Sequence, residues 1–135
     1  MSIHIIIDGY NLIRQSKTLR NLDQQDIQLG REGLVDMLAA YKKFKPHRIT
    51  VVFDGAQTQL SYPQRDRLRG ISILFSRKGE SADSLIKKMA GSEREKALVV
   101  SSDQEIVRSV KGHGATTMSA ADFETKLSMA LDTDG

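Results

Sequence analysis

Residues 3–9 read Ile3-His4-Ile5-Ile6-Ile7-Asp8-Gly9, an apolar run closed by two turn-forming residues. A run that does not alternate with polar residues fits a strand buried on both faces, as strands of parallel sheets are. Arg48 to Phe53 repeats the pattern and ends in Asp54-Gly55, so each strand delivers an aspartate at its carboxyl end. Between them, Leu34, Met37, Leu38 and Tyr41 recur at i, i+3, i+4 and i+7, which predicts an amphipathic helix starting near Asp26 and stopping before Pro46. Strand, helix and strand make a crossover unit.

The alternation continues to the end of the chain. Ile71 to Phe75 is a shorter strand, followed by a turn at Lys78-Gly79 and a helix with Ser81 as N-cap and Ala82, Leu85, Ile86 and Met89 on its apolar face. Ala97 to Val100 is a fourth strand ending in Ser101-Ser102-Asp103. Ile106, Val107 and Val110 mark the next helix, which Gly112 or Gly114 terminates. Ala115 to Met118 is the last strand; Ser119 caps a helix carrying Phe123, Leu127 and Leu131, and residues 132–135 are expected to fray. The expected fold is α/β: one three-layer domain over residues 1–135, with a mostly parallel sheet and helices on both faces.

Composition narrows the function. With 135 residues, 39% of them apolar and 27% charged, the chain is long enough for one core and too apolar for a disordered segment. There are no cysteines, which removes thiolate metal sites, disulfides and thiol nucleophiles, so a metal must rest on oxygen or imidazole ligands. No apolar run approaches the ~20 residues of a membrane span. The opening Met1-Ser2-Ile3-His4 lacks a basic region and a cleavage site, so a cytoplasmic location without membrane association is expected. Neither a dinucleotide fingerprint nor a phosphate-binding P-loop is present, so no nucleotide cofactor is expected.

In a parallel sheet, ligands bind beyond the carboxyl ends of the strands at the switch point of the topology. Asp8, Asp54 and Asp103 all stand at that edge, and Glu80 and Asp83, at the start of a helix that opens there, complete a candidate cluster. A single such aspartate is ordinarily a turn or cap residue. Three at equivalent positions converge on one crevice. Carboxylates held close raise one another's pKa and stay ionised only beside a cation, and magnesium or manganese, with carboxylate, water and phosphate ligands, is the natural one. Such ions activate water for attack on phosphorus.

The basic residues fit the same chemistry. Setting aside five of the 17 acids as the cluster leaves 12 acids against 20 basic residues. Lys42, Lys43, Lys45 and Arg48 form one basic group; Arg65, Arg67, Arg69, Arg77 and Lys78 form another around the third strand. An acidic pocket in a basic surround suits a nucleic-acid enzyme. Tyr10 is next to the pocket and suits stacking on a base, with packing the equal alternative, and Tyr62 lies in the basic Tyr62-Pro63-Gln64-Arg65 loop. His4, His47 and His113 lack metal-ligand spacing and read as structural or solvated. Gly30-Arg31-Glu32-Gly33 has the outline of a KH-domain loop but opens or interrupts a helix and lacks that domain's context, and Asp132-Thr133-Asp134-Gly135 begins a calcium loop that the chain does not complete.

The segment Ile5-Ile6-Ile7-Asp8-Gly9-Tyr10-Asn11-Leu12-Ile13 resembles the opening of the YacP-like NYN domains, which belong with the PIN-like nucleases. Val51-Val52-Phe53-Asp54-Gly55, Gly79-Glu80-Ser81-Ala82-Asp83-Ser84 and Val99-Val100-Ser101-Ser102-Asp103 resemble the later family segments in the same order, from Ile3 to about Leu127. The resemblance implies about five strands in the order 3-2-1-4-5 and a metal-dependent ribonuclease acting on RNA, read as single-stranded. It implies that Asp8, Asp83 and Asp103 bind the ion, with Asn11 as an orienting or substrate-contacting residue and Asp54 and Glu80 as additional acids. Ser102, Tyr10, Arg65, Arg67, Arg69, Arg77 and Lys78 are the candidate substrate contacts. The chain departs from the family at Asp54-Gly55-Ala56-Gln57 and in a compact 57–69 loop, which bears on substrate choice.

Three other readings compete. A non-catalytic RNA-binding or protein-docking module would keep the fold, although the intact acid set points away from it. A PIN-like toxin component would share the acids and require a partner protein. A phosphatase with Asp8 as nucleophile would carry a second aspartate two residues on, where this chain has Tyr10.

Overall fold

The computed structural model describes residues 2–55 and 64–134. Its sheet has six strands among the described residues: β1 (His4–Asp8), β2 (Arg48–Phe53), β3 (Gln64–Leu68), β4 (Ile71–Phe75), β5 (Ala97–Val100) and β6 (Thr116–Met118). The order is β3-β4-β2-β1-β5-β6, and every neighbouring pair is parallel except β3–β4. The five strands expected from sequence stand in the expected order. β3 is an addition at one edge, in a stretch read as loop.

Strand pleat explains why the sequence runs are continuously apolar. Ile5 and Ile7 of β1, Val51 and Phe53 of β2, and Ile71 and Ile73 of β4 face one core. Ile6, Val52 and Leu74, the residues between them, face the other. The first core is closed by four helices, α1 (Gly9–Gln15), α2 (Lys17–Gln25), α3 (Ile27–Phe44) and α6 (Ala120–Asp134), through Leu12, Leu19, Leu34, Leu38, Phe123 and Leu127. The second is closed by α4 (Ala82–Glu93) and α5 (Gln104–Gly112), through Ile86, Ala90, Ile106 and Val110.

The helix boundaries follow local chemistry. Asp26 caps α3 by accepting a hydrogen bond from the Gln28 amide at 2.8 Å, and α3 ends at Phe44, two residues before Pro46. Ser81 caps α4 through the Ser84 amide at 3.1 Å. α6 extends through Asp134; the expected fraying concerns residues 132–135, of which Gly135 lies outside the described residues. His4 is buried at the amino edge of the sheet, with Nδ1 2.6 Å from Glu93 Oε2 and Nε2 2.6 Å from Thr50 Oγ1, the structural role expected of it.

β3 carries Gln64-Arg65-Asp66-Arg67-Leu68, all exposed, and joins β4 through Arg69 and Gly70 at φ 53° and 82°. Two successive positive φ values make the turn type whose twist matches a hairpin. Charged side chains along this edge also discourage pairing with a further strand. No helix among the described residues is long and apolar enough to cross a membrane.

Candidate active site

The order of the sheet puts β1 at its centre, with the first crossover running to β2 on one side and the later chain continuing to β5 on the other. The switch point therefore lies between β1 and β5, where Asp8 meets Ser101, Ser102 and Asp103. Asp8 ends β1 and precedes α1, yet its side chain caps nothing. It accepts a hydrogen bond from Ser101 Oγ at 3.1 Å. The same hydroxyl oxygen accepts from the Asp103 amide at 3.1 Å, so one buried side chain ties the ends of both strands together. Asn11 adds a second tie: its Oδ1 accepts from the Ser102 amide at 2.8 Å. Ser102 Oγ in turn accepts from the Ala120 amide at 3.0 Å, which fixes the start of α6.

The electrostatics identify a shared field. Burial pushes Asp8 up to a pKa of about 6, and the neighbouring charges of Asp83 and Asp103 push the same way, against the Ser101 hydrogen bond and Arg14. Asp83, in the first turn of α4, is raised by burial, then by Asp103, with smaller contributions from Glu105 and Asp54, while Lys87 opposes them. The sheet edge thus brings together Asp8, Asp54, Asp83 and Asp103. Asp103 also has a structural job, because its Oδ1 accepts from the Glu105 and Ile106 amides at 2.9 and 3.2 Å and caps α5. Cap and charge cluster coexist in one carboxylate.

Glu80 does not join this group. Its Oε2 pairs with Lys88 Nζ at 3.4 Å, and its other oxygen is buried without a hydrogen-bond partner among the described residues. The remaining acids offer the hard oxygen donors that suit a divalent cation, with Arg14 beside Asp8 and Lys87 beside Asp83 opposing their negative charge. As the side chains stand, no three acidic or histidine residues among those described form a closed set of metal ligands.

The candidate substrate contacts separate in space. Arg77 and Lys78 follow β4 at the carboxyl edge and share a cavity with Glu80, Ser84 and Lys88. Arg65 and Arg67 are exposed on β3. Arg69 is carried by the hairpin to the opposite edge, where it pairs with Asp36 at 2.8 Å, away from the acids. Tyr10 packs against Phe53 with ring centroids 4.9 Å apart, and its hydroxyl accepts from Arg31 at 2.9 Å. The packing alternative for Tyr10 is therefore realised. Tyr62 lies outside the described residues.

Two contributors had little signal in the sequence. Ser101 is one of two adjacent serines, and only the adjacency of β1 and β5 singles it out. Arg31 lies within α3, where its guanidinium sits 5.3 Å above the Phe75 ring centroid and reaches Tyr10. Replacing Ser101 with alanine removes a donor to a buried carboxylate and strands the Asp103 amide. The expected cost is about 1–3 kcal/mol of stability by urea denaturation, with the Asp8 carboxyl titrating above its present range. An unchanged carboxyl titration by NMR would show that Ser101 does not hold Asp8.

Comparison with known proteins agrees with this architecture. The chain is 27% identical over 122 residues to the YacP protein of Bacillus subtilis, covering 88% of this chain and 71% of that one. The crystal structure of Rae1 (YacP) from Bacillus subtilis superposes with a TM-score of 0.78 at 26% identity, covering 98% of this chain and 77% of that one. A mutant form of the same protein gives a TM-score of 0.82 at 23% identity, covering 97% and 78%. The model of the YacP-like NYN domain matches residues 5–133, and the chain therefore belongs to the YacP-like NYN family, a nuclease fold of the PIN-like type.

Proposed function

We propose that the protein is a cytoplasmic, magnesium- or manganese-dependent endoribonuclease that hydrolyses phosphodiester bonds of single-stranded RNA at the β1–β5 switch point. The observation that carries this reading is the group of Asp8, Asp83 and Asp103, in which burial first, and the neighbouring aspartates second, raise Asp8 to about 6 and raise Asp83. A site that costs stability without a cation has the character of one assembled for a cation. Asp8, Asp83 and Asp103 would hold the ion, with Asp54 close enough to contribute charge. When bound, the ion supplies activation of water and stabilisation of the departing oxygen.

The chain's own residues prepare the site. Ser101 holds Asp8 by its Oδ2 and turns the Asp103 backbone toward it. Asn11 fixes the Ser102 amide and so the path of the loop after β5. Arg77 and Lys78, beyond β4, are placed to attract the phosphates of the strand. Tyr10, packed beneath the edge, supports the floor of the site through Phe53 and Arg31.

End-labelled single-stranded RNA incubated with the protein is expected to yield internal fragments with manganese or magnesium and none with chelator. Fragments of equal intensity in chelator would remove the metal from the mechanism. Intact RNA in every condition would leave a binding module as the better account of the fold.

A further inference from the structure

The face of the sheet that carries α4 is not filled to its edge. α4 packs chiefly on β1, β2 and β5, and beside it a cleft opens over β4 and β3. Its volume is about 460 Å³. Leu74, Leu85 and Met89 give it an apolar wall, and Arg48, Arg65 and Lys88 supply cations against the acids Asp66 and Glu93. A second cavity, of about 620 Å³, lies at the carboxyl edge and contains Arg77 and Lys78. Lys88 lines both cavities, so the two adjoin along the side of α4, from the turn after β4 toward β3.

The charges along this path are unevenly spent. Glu93 is bonded to His4 at 2.6 Å and lies 3.9 Å from Arg48, and Glu80 is engaged by Lys88. Arg65, Arg77 and Lys78 form no ion pair among the described residues. By contrast, Arg69 at the far turn is neutralised by Asp36. Along this path the cations without an ion pair among the described residues are therefore Arg65, Arg77 and Lys78.

Resting on the nuclease reading above, we infer that this cleft is the track of the RNA strand outside the cleavage site, with Arg77, Lys78 and Arg65 binding phosphates and Leu85 and Met89 facing sugars and bases. The dimensions agree: from Ser81 to Ser92 the helix advances ~16 Å at 1.5 Å per residue, and a stacked strand advances ~3.4 Å per nucleotide, room for about four or five nucleotides. Apolar walls without aromatic rings provide no stacking platform, so affinity rests on phosphate contacts and must depend steeply on salt.

The test is fluorescence anisotropy of labelled single-stranded RNA with the whole protein, in chelator to prevent cleavage, across a series of salt concentrations. The double variant Arg65→Ala, Arg77→Ala is compared with Lys43→Ala, Arg69→Ala, which removes the same charge at the opposite side of the fold. Losing two phosphate contacts is expected to flatten the slope of log affinity against log salt by about 1.4 and to weaken low-salt binding about tenfold. The control pair is expected to stay within about twofold of wild type, because its cations face no part of the path. Equal losses in both pairs, or none in the cleft pair, overturn the track; wild-type cleavage of RNA in magnesium or manganese then shows that the nuclease reading survives it. A wild-type protein that neither binds nor cleaves RNA overturns both.

Discussion

Asp8→Asn is expected to lose RNA cleavage by about a thousandfold or more and, in the absence of metal, to melt at a higher temperature than wild type at pH 7. The first effect follows from removing the charge of the central acid, since several kcal/mol of ion and transition-state binding correspond to about tenfold in rate per 1.4 kcal/mol. The second follows from the cost of keeping Asp8 ionised. Its folded pKa is about 6, above that of an unfolded aspartate near 3.9. Between those values the folded state holds more protons than the unfolded one. Stability associated with Asp8 is therefore fully present below about pH 4 and is lost as the pH rises through about 6. At neutral pH the penalty is about 2–3 kcal/mol, and asparagine, which still accepts the Ser101 hydroxyl, does not incur it.

For a domain of this size that relief is on the order of 5–10 °C in Tm, shrinking toward zero near pH 4. Magnesium or manganese is expected to raise the wild-type Tm and to leave the variant nearly unmoved, because a ligand stabilises only the state that binds it. Paired scans at pH 4 and pH 7, with and without metal, separate these effects. A variant that is less stable than wild type at pH 7 would show that the carboxylate is not strained. Retention of the wild-type cleavage rate would remove Asp8 from the metal site.

What could be read from the residues depended on how many faces of each element are buried. β1, β2, β4 and β5 are covered on both sides, so their sequences are apolar runs that mark themselves. β3 is exposed along its length, and Arg65 and Arg67 alternate with Asp66 and Leu68 in a way that reads as loop; only the Arg69-Gly70 hairpin makes it a strand. α1 and α2 are seven and nine residues long, too short for periodicity to stand out before α3. The acids were legible because strand ends share an edge in any parallel sheet. Glu80 was grouped with them on the same argument, but its side chain turns to Lys88 two turns along α4. Arg69 looked contiguous with Arg65 and Arg67 in the chain, whereas the antiparallel run of β3 moves each successive residue away from the carboxyl edge. Ser101 and Arg31 act across contacts between distant segments, and such contacts leave no local pattern.

The second large effect is expected at Gly55, where alanine should cost on the order of 4 kcal/mol and disturb the acid edge with the fold. The end of β2 and the end of β4 approach here without room for a side chain: a Cβ on Gly55 would lie 1.4 Å from the Ser76 carbonyl oxygen and 2.5 Å from its carbon. Those are backbone atoms, so no rotamer change relieves the clash. The same approach is held by two hydrogen bonds, from the Gly55 amide to Ser76 Oγ at 2.8 Å and from the Ser76 amide to the Phe53 carbonyl at 3.0 Å. Ser76 is fully buried. Separating the strands to admit a methyl group lengthens both bonds, at about 1–3 kcal/mol each, and adds an overpacking cost of about 1–3 kcal/mol. Losses of that size are a large part of the ~5–15 kcal/mol that holds a domain folded. The displacement begins one residue after Asp54, so cleavage is expected to fall even where the variant remains folded. Gly112→Ala is the control, because no atom lies within 4 Å of the Cβ it adds. Urea denaturation is expected to place Gly112→Ala within about 0.5 kcal/mol of wild type and Gly55→Ala far below it. A loss under about 1 kcal/mol at Gly55 would mean that the two strand ends part easily, and that the position of Asp54 rests on something other than this contact.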